Sequence, residues 1–132
     1  MKYLLLIYQN EKAWETMPQD EQNKFFGEYM QLSQDLKSSG KSKGGEALQP
    51  IRTATTVRVR NGKVQTTDGP FAETREQLGG FYLIDATDLD DAIAIASRIP
   101  PARKGTVEIR PILEMPGLPE ATAGATEFAA QR

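Results

Sequence analysis

The first hydrophobic run of the chain carries apolar side chains at both odd and even positions. Residues 2–8 read KYLLLIY, and residues 80–85 repeat the pattern as GFYLID. Successive side chains of a strand point to opposite faces, so strands of this composition need cover on both sides. The pattern predicts two buried β-strands, each apolar on both faces.

Two other stretches repeat their apolar positions at helical spacing. The first is predicted to begin near Thr16, because Thr16 and Gln19 have the spacing of a capping box and Pro18 suits a first turn. Gly40 is expected to end it. Core packing on one helix face explains its large side chains, with the last two beside the main stripe: Phe25, Tyr29, Leu32, Leu36, Phe26 and Met30.

The second helix is predicted to start at Thr87 or Asp88, whose side chains can accept hydrogen bonds from first-turn amides. Pro100 and Pro101 stop it, since proline removes a backbone donor. Its expected buried stripe is Leu89, Ala92, Ile93, Ala96 and Ile99.

A β-hairpin is predicted between the two helices. The alternating runs TTVRVR and KVQTT flank Asn61 and Gly62, and both turn positions of such a hairpin need a positive φ. Val57 and Val59 are expected to point inward, with the arginines beside them pointing outward. The segment 9–17 is expected to be a polar loop.

A weak strand closed by Pro50 and a last strand over residues 105–113 complete the order β-α-β-(hairpin)-β-α-β. This predicts an α+β fold of the ferredoxin-like βαββαβ class with an antiparallel sheet, over residues 1–114. Residues 115–132 lack periodicity and are predicted to be a flexible tail. Two helices cover one face of the sheet, so the other apolar face is expected to pack against a second copy as a homodimer.

Composition narrows the possible functions. The 132 residues carry 16 basic and 18 acidic side chains, a formal charge of −2, which gives no basic face for nucleic acid. The chain has no histidine and no cysteine. This removes the commonest general base and the commonest metal ligands, so we expect neither a metal nor another cofactor. Any catalysis would use Asp, Glu, Lys, Arg or Tyr.

The apolar run at the N-terminus is too short for a signal-peptide core or a membrane span. We therefore expect a cytoplasmic protein of bacterial type that does not contact a membrane.

The segment TTDGPFAETREQLGG, residues 66–80, holds the candidate chemistry. Asp68 is either a turn residue or a carboxylate base at a cleft, and Phe71 either fills the core or lines the site. Arg75 belongs either to a solvated, helical turn or to a clamp for a carboxylate.

Three strand residues complete the candidate set. Tyr82, Glu108 and Arg110 have polar tips. If Val107 and Ile109 pack on the helices, Glu108 and Arg110 face the dimer interior. There they form either an interface ion pair or part of a ligand site.

Several strings of the chain carry a family resemblance: MKYLLLIY at the N-terminus, GGEALQP, TATTVRVRNGKV, TDGPFAETREQLGG and GTVEIRP. Through them the chain resembles the DGPF branch of the YCII-related proteins over about residues 1 to 113. The resemblance implies a ferredoxin-like domain that forms a dimeric α/β barrel. Related barrels include muconolactone-isomerase-like and dechlorinating enzymes and heme-handling and antibiotic-biosynthesis oxygenases. The His–Asp pair noted in the broader group has no counterpart here, since histidine is absent.

The expected function is the binding or cofactor-independent conversion of a small organic acid, of isomerase or lyase type, in a dimer cleft. Asp68 would transfer the proton, Arg75 or Arg110 would hold the acid, and Phe71, Tyr82 and Glu108 would line the site. The alternative is a non-catalytic interaction module. Genes of the DGPF branch often lie beside sigma factors of the extracytoplasmic-function type, which suggests a regulatory context.

Overall fold

The computed structural model describes residues 1–117, and the remainder of the predicted tail lies outside the described residues. The strands are β1 (Lys2–Gln9), β2 (Ser42–Ala47), β3 (Thr55–Arg60), β4 (Lys63–Asp68), β5 (Gln77–Asp85) and β6 (Thr106–Pro111). The α-helices are α1 (Glu11–Glu15), α2 (Gln19–Ser38) and α3 (Leu89–Ser97). Within residues 1–117, no helix is long and apolar enough to cross a membrane.

The main sheet has four strands in the order β2-β5-β1-β6, and every neighbouring pair is antiparallel. Strands β3 and β4 form a separate two-stranded sheet. Without this hairpin, the order is that of a ferredoxin-like fold, so the predicted fold class is confirmed.

The core lies between one face of the sheet and the helices. Tyr3, Leu5 and Ile7 on β1 are almost fully buried, as is Ile84 on β5. They contact buried side chains of α2 and α3, one residue that follows β5 and one that follows α3. In chain order these are Leu32, Leu36, Ala86, Ala92, Ile95, Ala96 and Ile99. The odd positions of β1 therefore form the helix-covered face, one of the two apolar faces expected for this strand.

The even positions of β1 lie on the opposite face, which we call the open face. The register places Leu4 opposite Leu83 and Leu6 opposite Phe81. These side chains are half-buried. On β6, Val107 and Ile109 pack against the core, as expected. Strands β1 and β5 are thus apolar on both faces, which confirms the pattern argument.

The start of the first long helix was predicted wrongly. Helix α2 begins at Gln19, and the hydroxyl of Thr16 donates to the carbonyl oxygens of Lys12 and Ala13 instead of capping it. Part of the expected loop 9–17 is helix α1, because the Asn10 side chain accepts hydrogen bonds from the amides of Lys12 and Ala13.

Two expectations about apolar faces were also wrong. The hairpin stands apart from the main sheet, so Val57 and Val59 are 60% and 58% exposed instead of pointing into a core. On α3, Leu89 and Ile93 are about half exposed, and Ile95 takes a place in the core. The predicted start of α3 is confirmed, since the Asp88 carboxylate accepts the Asp91 amide at 2.9 Å.

Candidate functional site

A cavity of about 540 Å³ lies on the helix-covered side of the sheet, between α2 and the edge formed by β2 and β5. Its sheet side includes Gly45, Ala47 and Gly80, which carry little or no side chain. A Cβ at Gly45 would lie 2.8 Å from the Phe81 carbonyl oxygen, so glycine also allows the two strands to approach closely. Small residues on β2 and β5 therefore leave room beneath the helices.

Aromatic rings form much of the cavity wall. The Trp14 ring on α1 meets Phe26 edge-on, with centroids 5.6 Å apart, and meets Phe25 at 6.1 Å. Edge-to-face packing of this kind is favourable because ring edges are positive and ring faces negative. The aromatic side chains that line the cavity are Trp14, Phe25, Phe26, Tyr29 and Tyr82, whereas Phe81, on the open face, borders it through its backbone.

Two tyrosines join α2 to β5 at the cavity. The Tyr29 and Tyr82 rings are stacked at 6.5 Å, and the Tyr82 hydroxyl lies 2.9 Å from the Ser33 hydroxyl oxygen. Burial raises the pKa of Tyr29, and the neighbouring Tyr82 raises it further. The Tyr29 phenol is therefore protonated at neutral pH and can offer a hydrogen bond to a ligand.

Helix α1 closes the cavity and is held by contacts between distant segments. The Glu11 amide donates to the side-chain oxygen of Gln77 at 3.0 Å, and the Glu11 carboxylate accepts the Ile51 amide at 2.9 Å. The Gln77 side chain also donates to the Thr74 carbonyl oxygen at 2.7 Å. These bonds place Trp14 over the cavity by attaching α1 to the start of β5.

Carboxylates are the charged groups at this cavity. Glu11, Glu15 and Glu46 border it and no lysine or arginine does, but Glu46 pairs with Phe81 and so directs its side chain to the open face. In residues 1–117, none of the three carboxylates forms an ion pair. No group of three or more acidic side chains in this part of the chain is arranged to hold a metal ion.

Most of the segment 66–80 lies away from the cavity, although Gln77, Gly79 and Gly80 at its end line it. Asp68 is exposed at the end of β4, where it pairs with Thr55, and it does not line the cavity. No residue among 1–117 donates a side-chain or backbone hydrogen bond to its carboxylate, so this carboxylate does not stabilise a turn, and its role as a base at a dimer cleft stays a prediction. Phe71 is 80% exposed rather than a core residue.

Arg75 is also exposed and has no ion pair within the described residues. The helical turn expected around it is absent, because residues 71–76 follow an irregular path of bends. Glu76 accepts a hydrogen bond from the Thr106 hydroxyl at 2.8 Å, which ties the end of the segment to β6.

The three predicted strand residues occupy opposite faces of the sheet. Arg110 pairs with Leu4 and Glu108 with Leu6, so both charged residues are on the open face. Tyr82 is on the helix-covered face and, of the six predicted site residues, is the one that lines the cavity. A single chain therefore does not bring the six together.

Sequence reasoning missed Trp14 and assigned Phe26 and Tyr29 to the core. Phe26 is in fact 55% exposed and Met30 is 66% exposed, so neither is a core residue. The signal was present for Trp14, since it is the only tryptophan and interrupts a polar stretch.

Comparisons with known proteins identify the family of the chain. The sequence profile of the YCII-related domain matches residues 1–116. The chain is also 35% identical over 120 residues to an uncharacterized protein of Rhizobium meliloti (strain 1021), an alignment that covers 89% of this chain and 97% of that protein. The chain belongs to the YCII-related family.

Proposed function

We propose that this protein binds a small organic molecule in the cavity between α1, α2 and the β2–β5 edge. The observation that carries the proposal is the cavity itself, about 540 Å³ in volume with aromatic walls. Ligand sites are typically concave, roughly 300–1,000 Å³, mostly apolar, and equipped with a few polar groups that orient the ligand. The Tyr29 phenol and the carboxylates of Glu11 and Glu15 supply those polar groups.

The binding test uses Trp14, the only tryptophan, which lines the cavity. N-phenyl-1-naphthylamine is a neutral probe whose fluorescence rises in apolar surroundings, and a probe bound in the cavity would receive excitation energy from Trp14. Saturable energy transfer is expected for the wild type. Replacing Ala47, which lines the cavity, by phenylalanine should fill the space and abolish the transfer.

Ala94→Phe is the matched control, because Ala94 is exposed on α3 and does not line the cavity. It should leave the transfer unchanged. Absence of saturable binding to the wild type, or equal binding to Ala47→Phe, would contradict the proposal.

We further propose that the chain belongs to the DGPF branch, acts in the cytoplasm and forms a homodimer through the open face, as in a dimeric α/β barrel. The supporting observation is the half-buried apolar surface of Leu4, Leu6, Phe81 and Leu83. A second copy of the same face would cover this surface and bury its apolar area.

In such a dimer, Arg110 and Glu108 would enter the interface, and the expected organic-acid site would be built there, with Asp68 as its acid–base group. A thermal-shift screen of small carboxylic acids tests this second site on the wild type, Arg110→Gln and Asp68→Asn. Stabilisation of the wild type that both variants lose is expected. If no acid stabilises the wild type, the non-catalytic interaction module is favoured for this face.

A further inference from the structure

We infer that the cavity selects organic cations, so that its ligand carries a protonated amine or a quaternary ammonium group on an apolar body. The inference rests on the proposed function, because it names the ligand class of the same cavity. It differs from the organic-acid expectation, which concerns arginines on other parts of the surface.

The charge of the lining is the first argument. Two glutamates of α1, Glu11 and Glu15, line the cavity without any lysine or arginine. Their carboxylates have no ion-pair partner within the described chain, although the Glu11 carboxylate accepts the Ile51 amide. A ligand ammonium group would gain an opposite charge here, whereas a ligand carboxylate would be desolvated beside two like charges.

The aromatic walls are the second argument. A cation is attracted to the negative face of an aromatic ring, most strongly for tryptophan, and clusters of such rings recognise ammonium ligands. Trp14 forms a cluster with Phe25 and Phe26 at the same cavity that Glu11 and Glu15 line. The carboxylates match the positive charge of an organic cation, and the rings match both its charge and its apolar body.

The same combination already occurs at the protein surface beside this cavity. The guanidinium carbon of Arg103 lies 5.1 Å from the Phe25 ring centroid, and its Nη1 atom donates to the Glu28 carboxylate at 2.6 Å. A cation held between a ring and a carboxylate is therefore a contact that this aromatic cluster makes. Arg103 does not line the cavity, so it does not occupy the position proposed for the ligand.

The predicted arginine clamps have no part in this cavity. Neither Arg75 nor Arg110 lines it, and Arg110 belongs to the other face of the sheet. An organic acid would consequently find no positive side chain among the lining residues. The charge preference of the cavity can thus be measured independently of any acid site on the open face.

The test compares three ligands that share a naphthalene ring and a two-carbon linker and differ in the charge of their end group. They are 2-(1-naphthyl)ethylamine, 2-(1-naphthyl)ethanol and 3-(1-naphthyl)propionate, each titrated into the protein at neutral pH in a calorimeter. We expect the amine to bind about tenfold more tightly than the alcohol, and the acid to bind most weakly. Ala47→Phe should abolish binding of all three.

Glu15→Gln removes one negative charge from the lining and keeps the shape of the side chain. We expect it to reduce the preference for the amine over the alcohol about two- to fivefold, with little effect on the alcohol. Glu73→Gln is the control, since Glu73 is exposed and outside the cavity and carries the same charge change. It should preserve the wild-type preference.

The outcomes separate the inference from the function on which it rests. Binding of all three ligands with equal affinity, or tightest binding of the acid, overturns the cation preference and leaves the cavity as a binding site. A preference for the amine that Glu15→Gln and Glu73→Gln reduce equally also overturns it, because a general charge effect then explains the result. Failure of every ligand to bind, together with failure of N-phenyl-1-naphthylamine, overturns the proposed function as well.

Discussion

The hydroxyl oxygens of Ser33 on α2 and Tyr82 on β5 lie 2.9 Å apart. This hydrogen bond joins the helix layer to the sheet where both border the cavity, since Ser33 and Tyr82 are lining residues. The Tyr82 ring also stacks on Tyr29. The bond therefore fixes the separation of α2 from β5 on which the width of the cavity depends.

Removing either hydroxyl group should break this hydrogen bond and lower the stability of the protein slightly. Tyr82→Phe and Ser33→Ala are each expected to lower the free energy of unfolding by about 0.5–1.5 kcal/mol, the net contribution of a typical hydrogen bond. Urea unfolding of both single variants and the double variant measures the coupling. The double variant should lose less than the sum of the two single losses. Additive losses would show that the hydroxyl groups do not interact.

Gly105 precedes β6 at a point where no side chain fits. A Cβ there would overlap the backbone carbonyl oxygen of Tyr8, and backbone atoms cannot move aside as a flexible side chain can. Gly105→Ala is expected to destabilise the protein by about 1–3 kcal/mol, as overpacking does. The change in the denaturation midpoint at constant m-value measures this loss.

Gly27 provides the matched control for that substitution. It lies within α2, and an added Cβ would meet no atom within 4 Å. Gly27→Ala should therefore stabilise the protein by about 0.5–1 kcal/mol through helix propensity. Equal losses from the two glycine-to-alanine changes would contradict the steric account of Gly105.

The fold could be predicted because its signals are local. The apolar run of β1, the Asn61–Gly62 turn and the Asp88 cap each act within a few residues, and each is present in the structure. The burial of the two hairpin valine side chains could not be predicted from local signals. Val57 and Val59 follow the strand pattern, but their exposure depends on where the whole hairpin stands relative to the main sheet.

The cavity depended on contacts that sequence patterns do not encode. Helix α1 is placed by two hydrogen bonds of Glu11, which accepts one from Ile51 and donates one to Gln77, 40 and 66 residues away in sequence. Trp14 reaches the cavity because of that placement. The segment 66–80 was chosen as a candidate site for its unusual composition. Composition does not show whether Asp68 lies next to a cavity of its own chain.

Asp91 should make stability depend on pH in the acid range. The Thr87 amide donates to its carboxylate at 2.9 Å, and Lys41 Nζ lies 3.0 Å from it. The Thr87 amide hydrogen bond, followed by the Lys41 contact, lowers the pKa of Asp91 below its usual value. Because the folded pKa is the lower one, the stabilisation is fully present above the unfolded pKa of about 3.9 and is lost as pH falls through the folded pKa.

Unfolding of the wild type and Asp91→Asn measured between neutral pH and strong acid tests this dependence. The wild type should be the more stable protein at neutral pH, and the difference should shrink below about pH 4. Asp90→Asn is the neighbouring control, because the Asp90 carboxylate receives no hydrogen bond from residues 1–117. A difference for Asp91→Asn that stays constant from neutral to strongly acidic pH would contradict the assignment.

The open face provides the test of assembly. Leu6 lies between Phe81 and Glu108 on that face, so a charge there would be buried if two copies packed together. The wild type is expected to have twice the chain mass in light scattering at micromolar concentration, and Leu6→Lys is expected to have the mass of one folded chain. Met30→Lys, on the exposed side of α2, should keep the wild-type mass. A wild type with the mass of one chain, or a Leu6→Lys protein with the mass of two, would contradict the proposed dimer, because the apolar face would then not be its interface.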